Sequence, residues 1–160
     1  MDARRKIQLV YGLMLAGIVV WLLGILLAPY LLSRHSALAP YLYGCFAPFC
    51  HQIAERSFRL FGRPIGVCAR CFGIYAGFLA GAAAYPRIRG FSRLWLPDTR
   101  LFLALSVPIA ADAAGHVLRL WSLGNAPRFL TGLAWGTILP FYFMTGVGEL
   151  VLSLKGKRSP

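Results

Sequence analysis

Apolar positions fall into long runs separated by short polar stretches, and the runs approach the length of a bilayer-crossing helix. Leu9 to Leu32 is 24 residues without a charge, against about 20 needed for a hydrocarbon core of roughly 30 Å. The run is too long and leucine-rich for an ordinary signal peptide. Leu31-Leu32-Ser33-Arg34 offers no small-residue cleavage site at its end, so we read a retained span. Further spans are expected at about 66–85, 101–121 and 128–152, with Pro108 kinking the third and Pro140 lying in the fourth.

Between the first two spans, residues 36–50 are broken by Pro40, Gly44 and Pro48 and carry Tyr41, Tyr43, Phe46 and Phe49. That pattern suits an interfacial or re-entrant segment. In the second span, Gly73, Gly77 and Gly81 recur every four residues and share one face, which lets a neighbouring helix approach closely. The predicted fold is therefore all-α. It is a single integral membrane domain over residues 1–160, four helices plus a Cys/His-bearing segment at 36–71.

Composition agrees: 58% of residues are hydrophobic and 14% charged, far from a soluble balance. The net charge of +12 suggests anionic headgroups, which attract flanking basic residues. No basic recognition helix or basic–aromatic interleaving outside the spans supports nucleic-acid binding. With four spans, the N-terminus, the Pro86–Arg100 loop and the C-terminus share a face and hold ten of the 17 basic residues. Basic loops lie on the cytoplasmic side. The expectation is a multi-pass plasma-membrane protein with cytoplasmic termini and an outward-facing cysteine segment.

All four cysteines, Cys45, Cys50, Cys68 and Cys71, fall within 27 residues, and His51 follows the second. The two-residue gap of Cys68-Ala69-Arg70-Cys71 lets both sulfurs clamp one ion or close on each other. Asp112 is an ionisable group inside a predicted span, a functional candidate by default because such groups are costly unless paired or solvated. His116 lies one turn further along. The purely structural alternative has Asp112 pairing with His116 or Arg128 to lock helices together. Asn125, Arg128 and Thr131 begin the fourth span. All these groups, with Cys68, Arg70 and Cys71, are expected near the outer end of the bundle.

Cys50-His51-Gln52, Glu55-Arg56-Ser57-Phe58, Cys68-Ala69-Arg70-Cys71 and Gly73-Ile74-Tyr75-Ala76-Gly77 together resemble the domain-of-unknown-function 2085 family of small prokaryotic membrane proteins. Pro108, Asp112, Asn125, Arg128, Thr131 and Gly132 continue the likeness, which covers about residues 40–140. The chain departs from the pattern at Ala113 and His116, where the family typically has Gly and Gln, and the pattern does not require Cys45. The resemblance implies a membrane fold and brings no activity.

Three uses of the cluster follow from its chemistry. A metal centre, zinc or another soft divalent ion, takes Cys50, Cys68 and Cys71, with His51 or Cys45 completing a tetrahedral set. Adjacent residues rarely reach one ion without strain, so His51 is alternatively a hydrogen-bonding neighbour of the site. A thiol–disulfide oxidoreductase would use Cys68 and Cys71, with Cys45 and Cys50 as a shuttle pair. Inert disulfides or buried free thiols are the plainest readings.

Arg56, Arg70 and Arg128, inside the shared motifs, are the better candidates with Asp112, Asn125 and Thr131 for binding an anionic or lipid ligand; snorkelling to headgroups is the alternative. Asp112, His116 and His51 are the candidates should the site be catalytic, and enzymatic activity is left open. A non-catalytic small subunit of a larger membrane complex, or a homo-oligomer, is a further possibility.

Overall fold

The computed structural model describes residues 3–88, 98–118, 120–121 and 123–156. Residues 89–97 of the expected basic loop, Arg119, Lys157, Arg158 and the side chain of His116 lie outside the described part. The chain runs α1 (Ala3–Ser33), α2 (Leu38–Phe46), a 3₁₀ turn (Ala54–Arg56), β1 (Arg59–Leu60), β2 (Arg63–Pro64), α3 (Ala69–Ile88), α4 (Thr99–Val117) and α5 (Asn125–Gly156).

The described residues are mostly helical, and four of the five α-helices among them coincide with the expected spans. Length and apolarity sufficient to cross a membrane are found, among the described residues, in two segments: Arg4–Ser33, with mean hydropathy 2.5, and Asn125–Leu150, with 1.2. The structure therefore carries the four-span expectation only that far. α3 is 20 residues and α4 is 19; the glycines with Arg70 and Arg87 dilute the apolar character of α3, and the side chains of the last two α4 residues lie outside the described part. Residues 36–50 hold a real helix, the nine-residue α2.

One end of the bundle gathers the C-terminal half of α1, α2, the hairpin and the start of α3. Leu22, Ile25, Phe46, Cys50, Ile65 and Val67 form its core. At the other end Ile7, Tyr85 and Met144 join α1, α3 and α5. β1 and β2 are antiparallel, pairing Leu60 with Arg63. The linking residues Phe61 and Gly62 both have positive φ, 54° and 73°, as a two-residue turn of type I′ requires.

Two prolines dock neighbouring segments. A helical proline has no N–H, so the carbonyl four residues earlier loses its donor. Pro29 frees the Ile25 carbonyl, which accepts the Gly66 N–H at 3.2 Å. Pro86 frees the Ala82 carbonyl, which accepts the Tyr11 hydroxyl at 3.0 Å. The first bond fixes the strand leading into Cys68. The second ties α1 to α3 at the opposite end. Tyr11→Phe should cost about 1–2 kcal/mol by leaving a buried carbonyl unpaired, and adding Pro86→Ala, which restores the helix's own donor, should recover much of it. Thermal unfolding of the single and double variants checks this; additive losses would contradict it.

α3 and α5 form the tightest pair. A Cβ added at Gly73, Gly77 or Gly81 would fall on the carbonyls of Phe129, Leu133 or Thr137, and one at Gly132 or Gly136 on those of Arg70 or Ile74. Both helices thus contribute small residues, and the backbones meet directly. α4 joins this pair through Trp135 Nε1, which donates to Ser106 Oγ at 2.9 Å, and through Phe102, whose ring meets Trp135 at a tilt and Tyr142 edge-on.

Candidate metal centre and its charged neighbour

The sulfurs of Cys50, Cys68 and Cys71 lie within 4.8 Å of one another. Cys68 immediately precedes α3 and Cys71 is in its first turn, so their three-residue separation puts both on one side of the helix start. Cys50 arrives from the far side of the loop and is buried. Its Sγ accepts the Cys68 N–H at 3.1 Å and the Gln52 N–H at 3.5 Å. Hydrogen bonds from the Cys68 side chain, and then from Cys71, push the Cys50 thiol well below its ordinary pKa against the opposing effect of burial. A sulfur held this way is an acceptor set up to carry negative charge. None of the four cysteines is paired in a disulfide.

Gln52 holds the loop. Its φ of 51° turns the chain just after His51, and its amide donates to the carbonyls of Tyr43 and Gly66, both at 2.8 Å. Sequence reading quoted this residue within a motif and gave it no task. Its partners come from α2 and the segment between β2 and α3, contacts that spacing alone does not reveal.

The expected fourth ligand is not brought in. Among the described residues neither His51 nor Cys45 joins the sulfur group. Cys45 sits exposed on α2. His51 is also exposed, because Cys50 turns inward and its neighbour in this loop faces the other way. A cavity of about 280 Å³ is lined by Cys50, Cys68 and Cys71 together with Phe49, His51, Ile53, Arg56 and Arg70.

Arg70 joins the cysteines to the charged residues. Its guanidinium forms an ion pair with Asp112 Oδ2, and Arg128 Nε donates to the same oxygen at 3.4 Å. Asp112 is 2% exposed and Arg128 5%. Asp112 Oδ1, Arg70 Nε and Arg128 Nη2 are buried without a hydrogen-bond partner. The structure thus assembles α3, α4 and α5 around Asp112, and the Arg128 pairing weighed from sequence is present.

Asn125 starts α5 and donates its amide to the Ser57 carbonyl at 3.2 Å, while the buried Ser57 Oγ donates to Ile53 at 2.9 Å. These bonds pin the 3₁₀ loop to α5. Thr131 directs its hydroxyl to the Arg128 carbonyl in its own helix, at 3.1 Å. Arg56 borders both the sulfur cavity and a second one of about 560 Å³, which Glu55, Gly124, Asn125 and Arg128 also line.

A family model described as "Predicted membrane protein (DUF2085)" matches residues 50–142. The match opens on Cys50 and encloses Cys68, Cys71, Asp112 and Arg128, leaving Cys45 outside. The chain belongs to the DUF2085 family. Similarity extends to the uncharacterized protein MJ1492 of Methanocaldococcus jannaschii, 33% identical over 147 residues that cover 88% of this chain and 94% of the relative. No solved structure matches the chain.

Proposed function

We propose that Cys50, Cys68 and Cys71 hold one soft transition-metal ion, zinc first among candidates, and that the Arg70–Asp112–Arg128 set beside it serves an anionic ligand at the membrane edge. The observation that carries the metal reading is the mutual proximity of three sulfurs. Three thiolates bound to one zinc at about 2.3 Å lie about 3.8 Å apart, so little movement closes the site. The charge balance supports it as well. Two arginines exceed the single carboxylate by one positive charge, and three thiolates on a divalent ion carry one negative charge. The loaded centre offsets that excess, and Arg56 at the cavity the cysteines line adds positive charge for an incoming anion.

In this reading α1, α3, α4 and α5 all cross a plasma membrane, and the excess of basic residues on the opposite face puts the termini in the cytoplasm and the cysteine end outside. Lipid headgroups or small anions are both compatible with the arginines.

Protein purified in zinc-containing medium should carry about one zinc per chain, and Cys68→Ser should lose most of it. Elemental analysis checks this. Less than about one metal per two chains, with disulfides found by mass spectrometry, would favour the second reading, a thiol–disulfide oxidoreductase using Cys68 and Cys71. That reading is supported by the hydrogen-bonded, lowered-pKa Cys50 thiol next to them.

A further inference from the structure

We infer that the metal centre is open: the chain supplies three sulfur ligands, and the fourth position takes a small exogenous anion through an oxygen, nitrogen or sulfur donor. This rests on the metal reading above and goes beyond it by naming what the site receives.

Three observations carry the inference. The described residues place no fourth Cys, His, Asp or Glu donor with the sulfurs of Cys50, Cys68 and Cys71. Cys45 sits exposed on α2, and His51, which lines the same cavity, stays out of the sulfur group through its adjacency to Cys50 and the left-handed, doubly tethered Gln52 after it. Second, the three cysteines border space. The cavity against them has about 280 Å³, far above the roughly 10–15 Å³ one water needs. A structural site is closed by four protein ligands, whereas an open position next to a cavity is what an exchangeable ligand needs.

Third, the cavity wall is cationic. Arg56 and Arg70 line it alongside the cysteines, and Arg70 keeps a buried Nε without a hydrogen-bond partner while its fork holds Asp112. A trithiolate centre is itself negative and would repel an anion. Arg56 adds positive charge at the same cavity, and the Arg70 Nε–H, although its guanidinium is paired with Asp112, offers the anion a donor. Binding is a ligand exchange: the anion's donor atom replaces a coordinated water, and no oxidation state changes.

The full-length protein loaded with cobalt(II) in detergent gives the test, with azide and inorganic phosphate as probes. The expected result is thiolate-to-cobalt absorption in the loaded protein, d–d bands that shift saturably with one of the anions, and an anion-free spectrum unchanged by His51→Ala. Arg56→Gln should weaken that anion by about tenfold while leaving cobalt bound. Bands insensitive to both anions, or a d–d spectrum altered by His51→Ala, would overturn the open site and leave the metal reading standing. Absence of any thiolate-to-cobalt band would remove both. A shift produced only by phosphatidic acid micelles, and by neither free anion, would overturn the small-anion assignment in favour of a lipid headgroup.

Discussion

Asp112→Asn should be among the most damaging single substitutions in this protein. The carboxylate is 2% exposed and stands between Arg70 and Arg128, the latter 5% exposed. Removing the negative charge leaves two guanidinium groups facing one another with no counter-ion. Breaking a buried ion pair from one side costs about 3–5 kcal/mol, because the partner charge stays buried and uncompensated. For a chain of this length that lowers the melting midpoint by roughly 10 °C. The diagnostic comparison is with Asp112→Asn combined with Arg128→Gln. The double variant retains Arg70, which is 23% exposed on its side chain, so it should melt higher than Asp112→Asn alone. A double variant that melts lower would mean that the arginines are held by something other than the carboxylate.

Gly77→Ala should be nearly as costly for a different reason. The added methyl would meet the Leu133 carbonyl and, at 2.9 Å, the Thr137 nitrogen, both backbone atoms of α5 that cannot rotate away. α3 and α5 must separate, losing contact along the whole line from Gly73 to Gly81. Overpacking costs about 1–3 kcal/mol in adaptable cores, and a backbone-to-backbone interface belongs at or above the upper end of that range. Gly17→Ala is the control. Nothing lies within 4 Å of a Cβ there, and alanine is the better helix former by about 1 kcal/mol, so this variant should melt at the same temperature or slightly higher. Equal losses at both positions, followed by circular dichroism in detergent, would rule out the close helix pair.

Periodicity made the helices legible because hydrophobic runs and four-residue glycine spacing are local signals. Gly73, Gly77 and Gly81 announced a close approach, but their partner α5 became identifiable only when Gly132 and Gly136 were seen meeting Arg70 and Ile74 in return. The cysteine motif marked its own location for a similar reason: Cys68 and Cys71 are fixed relative to each other by one helical turn. Cys50 reaches them by a path through α2, the Gln52 tethers and the Gly66–Ile25 bond, and none of these is visible as a spacing.

The same non-local path explains why His51, adjacent in sequence to a sulfur of the site, ends up exposed. Pro29 lies unremarked inside the first apolar run and Pro86 opens the expected basic loop; that each leaves a carbonyl free to accept from Gly66 or Tyr11 depends on which segment passes beside it. Asp112 was conspicuous because a carboxylate in an apolar helix demands an explanation. Arg70 was harder to interpret: its position between two cysteines concealed that it pairs with a residue in another helix.

X-ray absorption at the zinc edge, on full-length protein purified with zinc and without reductant, tests the metal centre most directly. About three sulfur scatterers near 2.3 Å, with at most one lighter neighbour, is the expected coordination shell. A shell of oxygen and nitrogen alone would contradict the assignment of Cys50, Cys68 and Cys71 as ligands.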